Sequence, residues 1–231
     1  MENIIIATVK EWNIENFYKL KKKYKNKYNF YLITDKEELN FKNIYEINPK
    51  YIFFPHWSWF IKEDIYSNFD CVVFHMTDLP YGRGGSPFQN LIINEVYDTK
   101  ISALKVDGGL DTGDIYLKEK LNISIGSAEE NFIKLSNVIF ERMIPNFLEN
   151  ILNAKKQEGE IIEFKRRTPE QSNINTLNEI SINSLYDFIR MLDAEGYQKA
   201  YLELENLKIE FSEVHLKNKK LVGRFEVLEN E

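Results

Sequence analysis

Two short stretches decide how this chain is organised: His75-Met-Thr-Asp-Leu-Pro-Tyr-Gly-Arg-Gly-Gly-Ser-Pro-Phe-Gln89 and Asp107-Gly-Gly-Leu-Asp-Thr-Gly-Asp114. In the first, a histidine leaves the end of an apolar run and enters a loop rich in proline and glycine. In the second, a loop with three aspartates follows another strand-like run. Side chains of these types at two strand ends can build an imidazole–carboxylate pair.

The rest of the first two thirds alternates between strand-like and helix-like segments. Runs rich in β-branched or aromatic residues predict strands at 4–9, 29–34, 51–54, 71–74, 99–106 and 115–121. This alternation predicts an α/β fold, with a mostly parallel twisted sheet and helices on both faces. Ligands of such sheets bind beyond the carboxyl ends of the strands. We therefore expect the loops at 10–13, 55–59 and after His75 to converge on one edge.

Helix signals divide the chain further. Asn13 is a candidate cap for the first helix, and Ser127 with Glu130 predicts a capping box for a long helix towards Asn153, kinked at Pro145. After Gly159 an irregular stretch precedes one helix and three strand-like runs. We predict a catalytic domain over 1–158, then a linker and a small C-terminal α+β appendage, or dimerisation element, over 159–231.

Composition narrows the classes of partner. The net charge of −6 and pI near 5.3 argue against nucleic acid, although a local cluster of donors can hold a small anion. Cys71 is the single cysteine and lies in an apolar run, which indicates a buried, inert thiol and a reducing compartment. No apolar run approaches the length of a membrane span and no signal-peptide pattern is present, so we expect a cytoplasmic, soluble protein.

The two stretches resemble the motifs of the folate-dependent formyltransferases, the family of methionyl-tRNA, glycinamide ribonucleotide and nucleotide-sugar N-formyltransferases. The family patterns are roughly Asn-x-His-x-Ser-x-Leu-Pro-x-x-Arg-Gly and Asp-x-Gly-x-Asp-Thr-Gly-Asp. The second is complete here, and the first is answered by His75, Thr77, Leu79, Pro80, Arg83 and Gly84. One position departs: Val73 stands where the family has its catalytic asparagine.

The resemblance implies N10-formyltetrahydrofolate as formyl donor, with a formyltransferase/Rossmann-like fold. Transfer to an amine needs the amine deprotonated, the oxyanion stabilised and the leaving nitrogen protonated. His75 and Asp111 fit these roles, whereas a lone histidine at a strand end would be an ordinary structural residue. The aspartates could instead form a turn or a loop for a hard cation. Their glycine neighbours fit the family loop better, so we expect no metal.

Val73 has three readings: a nearby polar group replaces the asparagine, oxyanion stabilisation is altered, or the protein is inactive. His56 and Ser58 are our candidates for replacement, because their loop should leave the neighbouring strand on the same edge.

Two further sets of residues are candidates for binding. The family's pterin wall corresponds to an aromatic segment here, and the proposed folate contacts are Phe54, Trp57, Ser58, Trp59, Phe60, Asp107, Gly109 and Leu110; the tryptophans could equally be core residues. The proposed acceptor contacts are Lys10, Trp12, Asn13, Thr77, Tyr81, Gly82, Arg83 and Gly84; a surface salt bridge is the alternative for Arg83.

The size of the chain and the residues of the first motif indicate a class of acceptor. A compact catalytic domain with a small appendage looks most like the nucleotide-sugar formyltransferases. The first motif is most similar to enzymes of the pseudaminic acid pathway, which modify UDP-4-amino-4,6-dideoxy-N-acetyl-altrosamine. A formyltetrahydrofolate hydrolase and a non-catalytic folate or nucleotide-sugar binding protein are the alternatives. A homodimer is a further expectation.

Overall fold

The computed structural model describes residues 1–229. Its strands, in chain order, are β1 (Glu2–Ala7), β2 (Tyr28–Ile33), β3 (Pro49–Phe54), β4 (Cys71–His75), β5 (Tyr81–Gly84), β6 (Asp98–Lys105), β7 (Ile115–Asn122), β8 (Ile162–Phe164), β9 (Ala200–Glu203), β10 (Leu207–Lys217) and β11 (Lys220–Glu229). Its α-helices are α1 (Glu11–Tyr24), α2 (Phe41–Ile47), α3 (Glu63–Tyr66), α4 (Pro87–Ile93), α5 (Ala128–Val138), α6 (Ile144–Glu149) and α7 (Ile182–Arg190).

The main sheet has the strand order β2-β1-β3-β4-β6-β7. Strand β1 pairs in parallel with β2 and β3, and β3 pairs in parallel with β4. Strand β6 runs antiparallel to β4, with Ser102 opposite His75 and Lys105 opposite Val72. The α/β prediction is confirmed, and the sheet is mixed. The loop that follows β6 therefore starts beside the amino end of β4, where the Val106 N–H donates to the Cys71 carbonyl at 2.9 Å.

Helices cover both faces of this sheet, as predicted. Alternate residues of β1, Ile5 and Ala7, belong to a buried cluster that also contains Ile44 of α2 and Ile65 of α3. On the opposite face, aromatic rings of the strands pack against those of the helices. The ring centroids of Phe30 and Phe17 of α1 are 6.4 Å apart, and those of Phe53 and Phe147 of α6 are 5.2 Å apart.

Asn13 does not cap the first helix. The helix begins at Glu11 with Lys10 in the cap position, and Asn13 is 1% exposed inside it. Its amide instead donates to Thr8 Oγ1 at 2.9 Å and to the Pro55 carbonyl at 3.2 Å. The residue ties the loop after β1 to the loop after β3, which is why a polar side chain is buried here.

The capping box of the long helix is confirmed, because Ser127 N–H reaches Glu130 Oε2 at 2.8 Å and Glu130 N–H reaches Ser127 Oγ at 3.2 Å. Helical backbone runs without a break from α5 through a π-helical turn, Ile139–Met143, into α6, which contains Pro145 and ends at Glu149. The predicted irregularity is therefore this π-helical turn, which lies directly before the proline, a residue without an N–H for the helical hydrogen bonds.

Two compact units divide the chain. The first contains residues 1–83, 99–121 and 133–163, and so holds most of the main sheet. The second contains residues 84–98, 122–132 and the chain from Phe164 onwards. It includes α7 and the antiparallel sheet β11-β10-β9, in agreement with the helix and three strands predicted there. A domain division at residue 158 stays a prediction.

Two sequence expectations concern residues away from the motifs. Cys71 is 1% exposed, and burial raises the pKa of its thiol to about 12, as an inert core residue requires. Within residues 1–229 no helix is long and apolar enough to cross a membrane.

Candidate active site

A cavity of about 360 Å³ lies in the first unit, against β4. Val73 and His75, two residues apart and hence on one face of that strand, both line it. Two loops supply most of the other walls: the aromatic loop, residues 55–60, and the aspartate loop, residues 107–114. Ten of the predicted site residues meet here, namely Phe54, His56, Trp57, Trp59, Phe60, His75, Asp107, Gly109, Leu110 and Asp111.

His75 is held from two sides. Its Nε2 lies 2.7 Å from the Gly82 carbonyl, and its Nδ1 lies 3.5 Å from Asp111 Oδ2. A carbonyl can only accept, so the first contact places a proton on Nε2. The second nitrogen, Nδ1, then faces the Asp111 carboxylate. The imidazole and carboxylate that the two motifs predicted are therefore neighbours, and the pair can take up and release a proton.

The aspartate loop is shaped by its own hydrogen bonds. Asp107 Oδ1 accepts from the Gly109 N–H at 2.9 Å and from Thr112 Oγ1 at 2.6 Å. The Lys105 N–H donates to the Asp114 carbonyl at 2.8 Å and closes the loop at its base. A Cβ at Gly113 would stand 1.7 Å from the Lys105 carbonyl oxygen, so this position admits only glycine. These contacts let a loop that starts at the amino end of β4 fold back to His75.

Asp111 itself has a left-handed backbone, with φ of 55°. Such a conformation costs a residue with a Cβ about 1–3 kcal/mol and persists only where the surroundings enforce it. Gln157 supplies part of that enforcement, because its Nε2 donates to the carbonyls of Asp111 and Gly113, both at 2.8 Å. No motif or periodic pattern points to Gln157, which is a single glutamine in an irregular polar segment.

The aromatic loop forms a wall of rings. Trp57 and Trp59 pack edge to face with centroids 4.8 Å apart, and Phe54 lies 6.0 Å from Trp57. Trp57 also packs against the buried cluster under the sheet, whereas Trp59 is 41% exposed and Phe60 is 93% exposed. The Trp57 indole N–H is buried without an acceptor among residues 1–229. Trp57 thus combines a core role with a position on the cavity wall, while Trp59 and Phe60 offer open ring surface.

His56 lines the cavity and Ser58 does not. Burial, with a smaller effect from the nearby charge of Lys10, lowers the pKa of His56 to about 4. The ring is therefore neutral at ordinary pH and can donate one N–H. Trp12 packs against it with centroids 6.0 Å apart, and Lys10 Nζ lies 5.4 Å from the Trp12 ring.

The predicted acceptor contacts lie outside the lining of this cavity: Lys10, Trp12, Asn13, Thr77, Tyr81, Gly82, Arg83 and Gly84. Several of them have structural partners. Thr77 is fully buried, with its hydroxyl 3.3 Å from the Gly82 carbonyl. Arg83 donates from Nε and Nη2 to Gln157 Oε1, at 3.1 and 2.8 Å. The partner of Arg83 is therefore Gln157 and not a surface carboxylate. Gln157 is also the residue that holds the aspartate loop.

The molecule thus combines a mixed α/β sheet with a histidine and a carboxylate that approach each other beside an aromatic cavity. A family model described as methionyl-tRNA formyltransferase, C-terminal domain, matches residues 169–228. Among solved structures, a methionyl-tRNA formyltransferase from Clostridium thermocellum is 52% identical, covers 100% of both chains and superposes with a TM-score of 0.96. The chain belongs to the formyltransferase family.

Two more distant structures share the fold. A sugar N-formyltransferase from a Shewanella species has a TM-score of 0.71 at 13% identity, over 97% of this chain and 96% of its own. HypX from Aquifex aeolicus, in complex with tetrahydrofolic acid, has a TM-score of 0.74 at 11% identity, over 91% of this chain and 37% of its own. The curated methionyl-tRNA formyltransferases of Rickettsia species are longer relatives, since the match with this chain covers 36% of their length.

Proposed function

We propose that this protein transfers a formyl group from N10-formyltetrahydrofolate to the primary amine of a nucleotide-linked amino-dideoxy sugar. The observation that carries the proposal is the approach of His75 Nδ1 to Asp111 Oδ2, 3.5 Å, at the wall of the aromatic cavity. Catalytic hydrogen bonds are often long before substrate binds, so this distance suits a resting pair.

Two features of the cavity support the pterin end of a folate as its ligand. The exposed ring of Trp59 offers stacking surface to a flat heterocycle, and the buried indole N–H of Trp57 can donate to an acceptor on its edge. HypX, whose fold is shared, was crystallised with tetrahydrofolic acid. When bound, the folate supplies the formyl group; all other roles fall to the chain.

Each remaining task has a candidate side chain. His75 takes the proton that the acceptor amine loses and returns one to the nitrogen that leaves, while Asp111 stabilises the charged ring. His56 is our candidate for polarising the formyl oxygen in place of the asparagine replaced by Val73, because its neutral ring lines the cavity. Ser58 is the weaker candidate, since it lies outside that lining.

For the acceptor, the net charge of −6 favours a small molecule over transfer RNA. The full-length fold match with a sugar N-formyltransferase is consistent with this choice. The wording of the first motif favours UDP-4-amino-4,6-dideoxy-N-acetyl-altrosamine. Methionyl-tRNA is the second candidate, favoured by the family match over residues 169–228 and by the Clostridium thermocellum structure.

The test is to mix the protein with N10-formyltetrahydrofolate and follow tetrahydrofolate by absorbance, with no acceptor, with the UDP-amino sugar or with methionyl-tRNA. Release that requires the sugar supports the proposal, and release that requires methionyl-tRNA replaces it with the second candidate. Release without any acceptor identifies a hydrolase. Ligand binding without release identifies a non-catalytic binding protein.

We also expect a homodimer. Strand β11 lies at the edge of its sheet and leaves apolar side chains open, with Phe225 64% and Val227 51% exposed. Sedimentation velocity measures the assembly: a dimer that Phe225→Ser converts to monomers supports the expectation, and a monomeric wild type contradicts it.

A further inference from the structure

The arginine of the first motif and the loop of the second are joined by one side chain, Gln157. Its Oε1 accepts from two nitrogens of Arg83, and its Nε2 donates to two carbonyls of the aspartate loop. All of these residues belong to the first unit. Gln157 lies two residues after Lys155, whose backbone exchanges two hydrogen bonds with Ile115 at the start of β7. This pairing anchors the segment that carries Gln157.

The orientation of the amide is fixed by chemistry. A guanidinium has donors only, so it must face Oε1, and the loop carbonyls are acceptors only, so they must face Nε2. With the amide reversed, its NH₂ group would face the donors of Arg83 and its oxygen would face the carbonyl oxygens of the loop. Arg83 therefore determines which end of the Gln157 amide faces the loop, although the two residues are 74 positions apart in the sequence.

The carbonyls that Gln157 holds are those of Asp111 and Gly113, on either side of Thr112. They control the backbone of the strained residue Asp111, whose φ is 55°. Loss of both hydrogen bonds removes part of what holds this backbone at positive φ, and relaxation toward negative φ would turn the Asp111 carboxylate away from His75.

We propose that Gln157, oriented by Arg83, is a positioning residue that keeps the Asp111 carboxylate on His75. The expected fall in kcat rests on the proposed function. The expected change in the surroundings of the His75 ring does not, because it can be measured without turnover. A displacement of about 1 Å at a reacting group can cost ~10²-fold in rate.

Gln157→Leu and Gln157→Glu test it together. Leucine removes every hydrogen bond, whereas glutamate keeps the acceptor for Arg83 and loses only the donor to the loop. We expect both to lower kcat by about 10- to 100-fold, with the KM for the formyl donor within about twofold of wild type, since the aromatic loop on the cavity wall is unchanged. Gln198→Leu, a half-buried glutamine in the second unit, is the matched control and should keep wild-type kcat.

The second readout is the NMR signal of the His75 ring, which is readily assigned because the chain has three histidines. At fixed pH we expect the signal in both Gln157 variants to move toward its position in Asp111→Asn. This holds even if the protein proves to have no transferase activity, so the two failures are distinguishable. A His75 signal at its wild-type position in folded Gln157→Glu would overturn the inference, and so would wild-type kcat in that variant.

Discussion

The aspartate loop and the aromatic loop line the same cavity but are held by different forces. Hydrogen bonds from Asp107, Gln157 and the backbone fix the first, with a glycine at residue 113 that no other residue could replace. Ring packing holds the second, and its outer rings remain exposed. Proton transfer needs atoms fixed within a fraction of an ångström, whereas stacking tolerates sliding. We therefore propose that the first loop contributes the chemistry, through Asp111 and His75, and that the second contributes the stacking surface.

Replacing the partner of the aspartate loop should give the largest effect. His75→Asn should lower turnover by ~10²–10⁴-fold, because it removes the group that carries the proton, and should leave the protein folded. Steady-state kinetics with a thermal melt measure both. His215→Asn on β10 is the control. Turnover above about half of wild type in His75→Asn would remove histidine catalysis from the account.

His56 sharpens the comparison, because it is the member of the aromatic loop that we favour for a chemical role. His56→Ala should lower kcat by ~10²–10³-fold with little change in KM, since an oxyanion donor acts in the transition state. Ser58→Ala, outside the cavity lining, should have a much smaller effect. If neither substitution matters and Val73→Asn raises turnover, the protein works without that donor.

His56 also predicts an acid-sensitive stability. Its pKa is lowered to about 4 in the folded protein, against an ordinary value near 6.5, so between those values the unfolded chain binds the extra proton. The contribution of His56 to the free energy of unfolding is constant above pH 6.5, falls by about 3 kcal/mol as pH drops from 6.5 to 4, and then levels off. Urea unfolding across this range should show a smaller loss in His56→Gln. Equal pH dependence in the two proteins would refute the burial of a neutral ring.

The two tryptophans should separate binding from packing, with the smallest effects. Trp59→Ala should weaken binding of the formyl donor about fivefold at nearly unchanged thermal stability, because its ring is exposed. Trp57→Ala should cost about 2 kcal/mol of stability besides, since that ring packs on the core cluster. Isothermal titration and thermal melts give both quantities. Equal destabilisation by both substitutions would favour a purely structural aromatic loop.

The sequence predicted what depends on local pattern. Apolar runs gave the strands of the main sheet, and the motifs gave His75 with Asp111. What it missed depends on contacts distant along the chain. The residue pattern of β6 does not indicate that this strand runs antiparallel to β4. Its direction depends on the tertiary position of the loop that follows it, which starts beside the amino end of β4 and returns to His75. Asn13 looks like a cap but donates to the Pro55 carbonyl, and Arg83 donates to Gln157, while its role as an acceptor contact stays a prediction. In each case the polar group was identified correctly and its partner could not be, because tertiary structure supplies the partner.

The assignment of chemistry to one loop and binding to the other is tested most directly by Asp111→Asn, which keeps the shape of the side chain and removes its charge. Formyl transfer in a single turnover and the dissociation constant of the formyl donor are measured on the same preparation. We predict that transfer slows by at least ~10²-fold while the dissociation constant stays within about twofold of wild type. Normal transfer at saturating donor, with a weakened dissociation constant, would contradict it and give Asp111 a role in donor binding in place of transfer.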